Sequence, residues 1–289
     1  EARARRICAE VLATTPRYHV VCLQEVFDED VRAIFARELR SAYPHQVARC
    51  SDGDVFNDDS GLFFATSLPI RRHRFHEFDA KEPFTGDAFV DKGIFGARLE
   101  LGPIAPGVSL CVFNTHLQST EAHDATRARQ LAEVRQFVGA ELGRCQLEST
   151  CAVLAGDLNV VGDSSAEYRS MLRRLDGAHD VFREAHPDAA LVPGYTWNGR
   201  DNLNMIPASD ADTQRLDYVL AFGAIPVAAD DDTPPRELRP LSLDAAAVVP
   251  FGPGPADRLS DHFGVSATVT PQTGASARAG LADAGCRVC

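Results

Sequence analysis

The sequence predicts a layered α/β protein, on three observations. Short apolar runs of strand length alternate with helical apolar spacing along the whole chain, the pattern of sheets covered by helices and not of separate all-α and all-β units. Of the 289 residues, 45% are hydrophobic and 24% charged, which is ordinary globular composition with ample material for a core. No run of about 18 apolar residues occurs, so no segment is suited to cross a bilayer as a helix.

At the start of the chain, Ala4, Ile7, Cys8, Val11 and Leu12 recur at helical spacing, in a helix without a visible start signal. The run from Tyr18 to Leu23 reads as a short buried strand. Asp28 then caps a helix whose inner face is Val31, Ile34, Phe35 and Leu39. Gly61 to Thr66 is a strand closed by the Pro69 turn, and Ile94–Leu99 and Val108–Asn114 are two more. Leu131, Val134, Val138 and Leu142 mark the buried stripe of a long helix. Ala152 to Ala155 is a strand, and Ser164-Ser165-Ala166-Glu167 is a capping box opening a helix with Tyr168, Met171, Leu172 and Leu175 inward. Leu216–Ala221 and Phe263–Val269 are the last clear strands. Ala228 to Leu259, rich in Asp, Pro and Ala, gives no element, and 271–289 reads as a flexible tail or linker.

The chemistry lies at the ends of the apolar strands. Val20-Val21-Cys22-Leu23 runs into Gln24-Glu25, Cys111-Val112-Phe113 into Asn114-Thr115-His116, and Ala152 to Ala155 into Gly156-Asp157-Leu158-Asn159. A buried strand that stops at a carboxylate or an imidazole holds that group on a rigid support at the sheet rim. Convergent strand ends gather Glu25, His116, Asp157 and Asn159 in one cleft, joined by Asp261-His262 ahead of the strand at Phe263. Oxygen-rich clusters suit Mg²⁺ or Mn²⁺, and imidazoles suit proton transfer. Singly, each residue has a plainer reading. A lone Glu or His after a strand is commonly solvated or structural, Asp157 could close an Asx-turn, and Asp261 could be a cap.

Together they match a known order. Leu23-Gln24-Glu25-Val26-Phe27, Asn114-Thr115-His116-Leu117-Gln118, Gly156-Asp157-Leu158-Asn159, Arg215-Leu216-Asp217-Tyr218 and Ser260-Asp261-His262 resemble the successive signature motifs of the endonuclease/exonuclease/phosphatase superfamily, over roughly residues 5 to 270. The resemblance implies a four-layered sandwich of two packed sheets flanked by helices, with residues 1–270 as the catalytic domain. It implies Glu25 as the metal ligand, Asp157 orienting the attacking water and Asn159 donating to the phosphate. His262 is then the general base, held by Asp217, with Asp261 completing the metal or water network and His116 donating to the phosphoryl oxygens. It also implies a strand with a metal-facing Asn ahead of the first helix, which is expected upstream of Glu1.

Within the superfamily the chain is most similar to neutral sphingomyelinases. Leu23 to Asp28 and Ser60 to Thr66 resemble segments of that branch, as does Asp87 to Gly93, in which an Asp and a Lys five residues apart, Asp87 and Lys92, adjust the active site. Tyr195-Thr196-Trp197 followed by Asn202 is similar too. A simple surface pair and a core Trp are the plainer readings. The implied reaction is Mg²⁺-dependent phospholipase C-type cleavage of sphingomyelin or a related phosphosphingolipid at a membrane surface, with Mn²⁺ as an alternative cation. An endonuclease of the same fold is the alternative enzyme, and a non-catalytic binding module the alternative class. A net charge of -12 and only two lysines, Lys81 and Lys92, argue against a nucleic-acid partner. Val248-Val249-Pro250-Phe251 is either an inserting loop or a buried crossover, and Arg71-Arg72-His73-Arg74 either meets anionic headgroups or is a solvated turn.

Cysteine use leaves the compartment open, with a lipid surface leaning toward a secreted or peripheral-membrane site. Cys22 and Cys111 read as buried thiols. Cys145 and Cys151 could close a small disulfide loop, and Cys286 and Cys289 form a C-x-x-C without metal-type partners.

Overall fold

In chain order the strands are β1 (Val20–Leu23), β2 (His45–Val47), β3 (Phe63–Thr66), β4 (Ile70–Glu77), β5 (Gly93–Glu100), β6 (Ser109–His116), β7 (Thr150–Asp157), β8 (Ala178–Asp180), β9 (Trp197–Asn198), β10 (Thr213–Gln214), β11 (Asp217–Phe222), β12 (Leu241–Val249), β13 (Gly264–Pro271) and β14 (Cys286–Val288). The helices are α1 (Ala2–Ala13), α2 (Glu29–Leu39), α3 (Asp124–Leu142), α4 (Ala166–Arg174) and α5 (Val181–Ala185). The structure is a computed structural model and describes residues 1–51, 58–102, 104–163, 165–176, 178–203, 213–225, 236–272 and 286–288.

Two six-stranded sheets are stacked, one in the order β12-β13-β14-β1-β3-β2 and the other β4-β5-β6-β7-β11-β8. Period-two alternation explains why their strands read as unbroken apolar runs. Val20, Cys22 and Phe64 of the first sheet meet Phe95, Val112, Val153 and Val219 of the second between the sheets. Val21, Phe63 and Ala65 turn outward onto Ala4, Cys8 and Val11 of α1 and Ile34, Phe35 and Leu39 of α2. Ile94, Phe113 and Leu154 turn the other way, onto Leu131, Val134 and Val138 of α3 and Met171 of α4. Buried on both faces, such strands have no polar side to show. The result is the expected four-layered α/β sandwich.

The long helix is the crossover that lets β6 and β7 run parallel, with His116 opposite Asp157. Asp28 caps α2 as expected, its side chain accepting from the Val31 N–H. The capping box works differently. Ser165 caps α4, accepting from the Tyr168 N–H, while Glu167 reaches Arg127 at 2.6 Å and 3.1 Å instead of bending back.

Three stretches that read as irregular contain strands. Leu241–Val249 lies at a sheet edge, paired among the described residues with β13 alone, and only Ala246 of its nine residues is buried, so it carries no apolar alternation. Val248 packs on the inter-sheet core and Phe251 against the α1–α2 layer, so this stretch is a strand end and its exit, not an inserting loop. Arg71 to Arg74 belong to β4, the opposite edge, where Arg71 pairs with Glu100 and Arg74 with Glu141. A charged edge strand resists pairing with another chain. Within the tail, Cys286–Val288 pairs parallel to β1 and antiparallel to β13, and Cys289 lies outside the described residues. Past β14, the gap between β1 and β13 is a cavity of about 630 Å³. It runs from Glu25, Asp217 and His262 to Ile7 and Val11.

Candidate active site

Register alone sets a row of chemistry across the second sheet. His116 ends β6 opposite Asp157, which ends β7; Asp157 is in turn opposite Asp217, which opens β11. Ile94 of β5 faces Thr115, so continuing that register puts Lys92 opposite Leu117, one residue past His116. Gly156 keeps the strands close. Its φ is +145°, and a Cβ there would lie 2.0 Å from the Thr115 carbonyl oxygen. From the first sheet, the chain beyond β1 brings Glu25, and the chain before β13 brings Asp261 and His262.

Lys92 is 3% exposed, and its ammonium N–H groups meet the Asp87 Oδ2 at 3.0 Å, the Leu117 carbonyl at 2.7 Å and His116 Nε2 at 3.1 Å. An ammonium has three donors and no acceptor, so His116 Nε2 accepts and the imidazole proton lies on Nδ1, which has no partner among the described residues. Burial pushes His116 well below the usual histidine range, and the Lys92 charge adds to it. Burial also lowers Lys92, against the pull of Asp87. Sequence alone leaves Asp87 and Lys92 open to a surface-pair reading. The structure puts Lys92 under the site and Asp87 beside it, accepting from the Gln118 amide and the Ser119 N–H at 2.8 Å each.

Asp157 Oδ2 lies 3.5 Å from His116 Nε2 and 4.0 Å from His262 Nδ1, while its Oδ1 accepts from the Asn159 N–H at 2.8 Å. Burial and the adjacent Asp217 push Asp157 up to about 7. His262 Nδ1 is 2.8 Å from Asp217 Oδ2. Burial works against the charged imidazole, but Asp217, Asp157 and Asp261 outweigh it and raise His262 to about 10. Asn159 donates its side-chain amide to Leu117 O at 3.2 Å, so one N–H of that group is already engaged.

Glu25 keeps 63% of its side-chain surface in solvent and lies 4.0 Å from His116 Nε2. The cleft walls strip part of its hydration and Asp261 adds its charge, and both push its carboxyl upward. Two carboxylates raised by carboxylate neighbours, Glu25 by Asp261 and Asp157 by Asp217, mark a cleft short of positive charge. Oxygen donors in that state fit a hard divalent cation. Asp157, Asp217 and His262 also bring one ligand atom each within 4.8 Å of one another. The Asp217–His262 bond, however, already uses both partners as a dyad.

Several supports lie in segments the sequence singles out, but the contacts they make are visible only in the structure. Thr196 Oγ1 accepts from the Leu216 and Asp217 N–H groups, while its carbonyl takes the Phe263 N–H, so one residue ties Asp217 to the His262 segment. Trp197 stacks edge-on against His262, with ring centroids 5.0 Å apart. Asn202 is buried and donates to the Ser260 and Asp261 carbonyls at 2.7 Å and 3.1 Å. Asn114, a polar residue inside a buried apolar run, accepts from Gln24 at 2.7 Å and so fastens the end of β1 to β6. Arg215 is structural, bound to Asp163 at 2.8 Å and lying over the Tyr218 ring.

Opposed sheets whose strand ends converge on carboxylates and a histidine–aspartate dyad define the phosphodiesterase class of fold. The Endonuclease/Exonuclease/phosphatase family profile matches residues 1–262, and the chain belongs to that family, whose members are phosphodiesterases and related hydrolases. The chain is 30% identical over 186 residues to sphingomyelin phosphodiesterase 5 of Danio rerio, covering 58% of this chain and 32% of that protein. It is 26% identical over 271 residues to tyrosyl-DNA phosphodiesterase 2 of Mus musculus, covering 92% of this chain and 61% of that one. The chain thus spans less than two thirds of either curated relative. Its fold matches the crystal structure of a Staphylococcus aureus beta toxin mutant with bound magnesium ions. The TM-score is 0.69 at 21% identity, covering 92% of this chain and 91% of the toxin.

Proposed function

We propose that the chain hydrolyses a lipid phosphodiester, with sphingomyelin or a related phosphosphingolipid as substrate, ceramide and the phosphorylated headgroup as products, and Mg²⁺ (or Mn²⁺) as the cation. The observation that carries the chemistry is the row Lys92–His116–Asp157–Asp217 facing Glu25, Asp261 and His262 across one cleft. Glu25 and Asp261 would hold the cation, whose charge would offset the phosphate oxygens and lower the pKa of a nearby water. That added charge also favours loss of the extra protons from Asp157 and His262. His262, fixed by Asp217 through Nδ1, takes the proton of the attacking water at Nε2. Asp157 orients that water, and Asn159 offers its remaining N–H to the phosphate. His116 and the buried Lys92 act as one proton-bearing unit: the Lys92 ammonium supplies the positive charge until its proton passes to His116 Nε2 and on to the leaving oxygen, which leaves Lys92 neutral until solvent reprotonates it.

The lipid reading rests on the rim. Phe84 and Phe89 are 100% and 62% exposed, in the segment anchored to the site by Asp87; Leu203, 67% exposed, lies next to Asn202. Exposed aromatic rings beside a cleft suit a headgroup–acyl boundary. No helix among the described residues is long and apolar enough to cross a membrane. A second reading, a nucleic-acid phosphodiester, is favoured by the match to tyrosyl-DNA phosphodiesterase 2 along 92% of the chain. It runs against the expectation that nucleic acid is not the partner.

The test is headgroup release from sphingomyelin vesicles with Mg²⁺ or with chelator, with plasmid DNA and a tyrosyl-linked oligonucleotide in parallel. Release that chelator, Glu25→Ala and His262→Ala each abolish is the expected result. Intact lipid beside cleaved DNA keeps the chemistry and replaces the substrate.

A further inference from the structure

A second cavity, of about 180 Å³, opens on the outer face of the second sheet. It lies on the α3 side, and Cys111 is five residues before His116 on β6, roughly 17 Å up the strand at ordinary strand rise. Its walls include Cys111 and Cys145, with Arg71, Arg72, Arg98 and Arg144 around them. The sulfurs are 3.9 Å apart. Cys111 is buried, while Cys145, in the turn after α3, is half-buried and reachable from the cavity. Cys151, which the sequence offers as the partner of Cys145, faces the inter-sheet core instead, whereas Cys111 faces the α3 layer.

We propose that Cys111 and Cys145 form an oxidisable dithiol, in which a hydroperoxide oxidises Cys145 and Cys111 resolves the product to a disulfide. The Cys145 thiolate attacks one peroxide oxygen; the S–O bond forms as the O–O bond breaks, and the second oxygen leaves as hydroxide or alkoxide and takes a proton. The Cys111 sulfur then attacks the sulfenic sulfur; the S–S bond forms, the S–O bond breaks, and the hydroxyl leaves as water with the Cys111 proton. Two thiols lose two electrons and the peroxide gains them.

The charges around the pair support this order of events. The hydrogen bond from Cys111 lowers the Cys145 thiol, to about 6, with burial opposing and Arg98 assisting. Cys111 is driven the other way by the same bond and by burial. Arg98, the cross-strand partner of Cys111, donates to Ser109 Oγ at 3.2 Å and, among the described residues, pairs with no carboxylate. Glu141 is the acid at the cavity, and Arg72, Arg74 and Arg144 lie 3.6 Å, 2.9 Å and 2.6 Å from it. The attacking sulfur is thus the accessible one and the resolving sulfur the buried one, and closing from 3.9 Å to bonding distance, about 2.05 Å, needs side-chain rotation in the turn after α3.

The full chain, freed of reductant, is treated with an equivalent of hydrogen peroxide, alkylated, digested without reduction and mapped by mass spectrometry. A Cys111–Cys145 peptide pair two hydrogens lighter than the thiols, reversed by dithiothreitol, is the expected result. Cys145 should also alkylate about tenfold faster at pH 7 than the other thiols, and Arg98→Gln should slow it about threefold. Cys111→Ser should abolish the cross-link and leave a Cys145 sulfenic acid that dimedone captures. A Cys145–Cys151 pair, or Cys145 no more reactive than Cys50 in the wild-type chain, overturns the proposal even if Cys111→Ser fails to fold.

Discussion

Lys92, His116, Asp157 and Asp217 stand at the rims of four neighbouring strands of one sheet, whereas Glu25, Asp261 and His262 hang from segments beyond the ends of β1 and β13 in the other. The first group is dry: Lys92, His116 and Asp157 are each below 9% exposed, the latter two fixed by ladder register and Lys92 by its three contacts. The second is wet at its acids, with Glu25 and Asp261 open to solvent. Burial displaces proton affinities and makes each group part of the fold. Exposure leaves the acids free to exchange water for a cation. Losses in the dry row should therefore cost stability and turnover together, and losses among the wet acids should cost cation affinity alone.

His262→Ala is expected to have the largest effect, a fall in kcat of about 10³–10⁴-fold with vesicle binding unchanged, read by headgroup release. Its charged imidazole stabilises the native state below pH 6.5, so the variant should melt lower than the wild type at pH 6 but still cooperatively, and a collapsed melting curve would break the comparison. Glu25→Gln should raise the Mg²⁺ concentration for half-maximal rate roughly 10–100-fold without lowering Tm. Lys92→Met should do the reverse and lower unfolding free energy by about 3 kcal/mol in urea, because Asp87 loses a nearly buried partner. An unaltered midpoint there would show that the row is not a structural unit.

The pH dependence sharpens the same contrast. Asp157 titrates near 7 in the native state against 3.8 unfolded, so the native state binds the extra proton and stability falls as pH rises between these values, at most by about 4 kcal/mol. His262, raised to about 10, contributes stability fully present below 6.5 and lost as pH rises through 10. Asp157→Asn should flatten the first window and His262→Ala the second, and saturating Mg²⁺ should shrink both. The smallest effect is expected at Asn202→Ala, about 1 kcal/mol by thermal melts, with a weaker cation response because the Ser260–Asp261 turn loses its donor.

Much of the site is legible in the sequence because strands announce their own ends. An apolar run that stops at Glu25, His116 or Asp157 marks a rim, and both sheets are built of such runs. The hidden part depends on distance in sequence. That Lys92 lies under His116 comes from a contact just past the β5–β6 ladder, and that Thr196 holds Asp217 comes from a loop crossing between sheets. Edge strands hide for a different reason. β4 is charged and β12 alanine-rich, since an edge buries less and so carries a weaker pattern. Proximity in sequence suggests a Cys145–Cys151 loop, but a strand sends alternate side chains to opposite layers, and Cys145 lies beside Cys111.

Glu25 and Asn159 both adopt left-handed backbone, with φ of 59° and 51°. Asparagine tolerates that region, but for glutamate it costs about 1–2 kcal/mol, and glycine at either position would relax the chain. The two positions therefore answer to opposed selections. A lineage screened only for heat tolerance would drift toward glycine at Glu25 and lose the carboxylate proposed to hold the cation while its fold improved. Persistence of glutamate there across a laboratory population would be a record of selection for turnover.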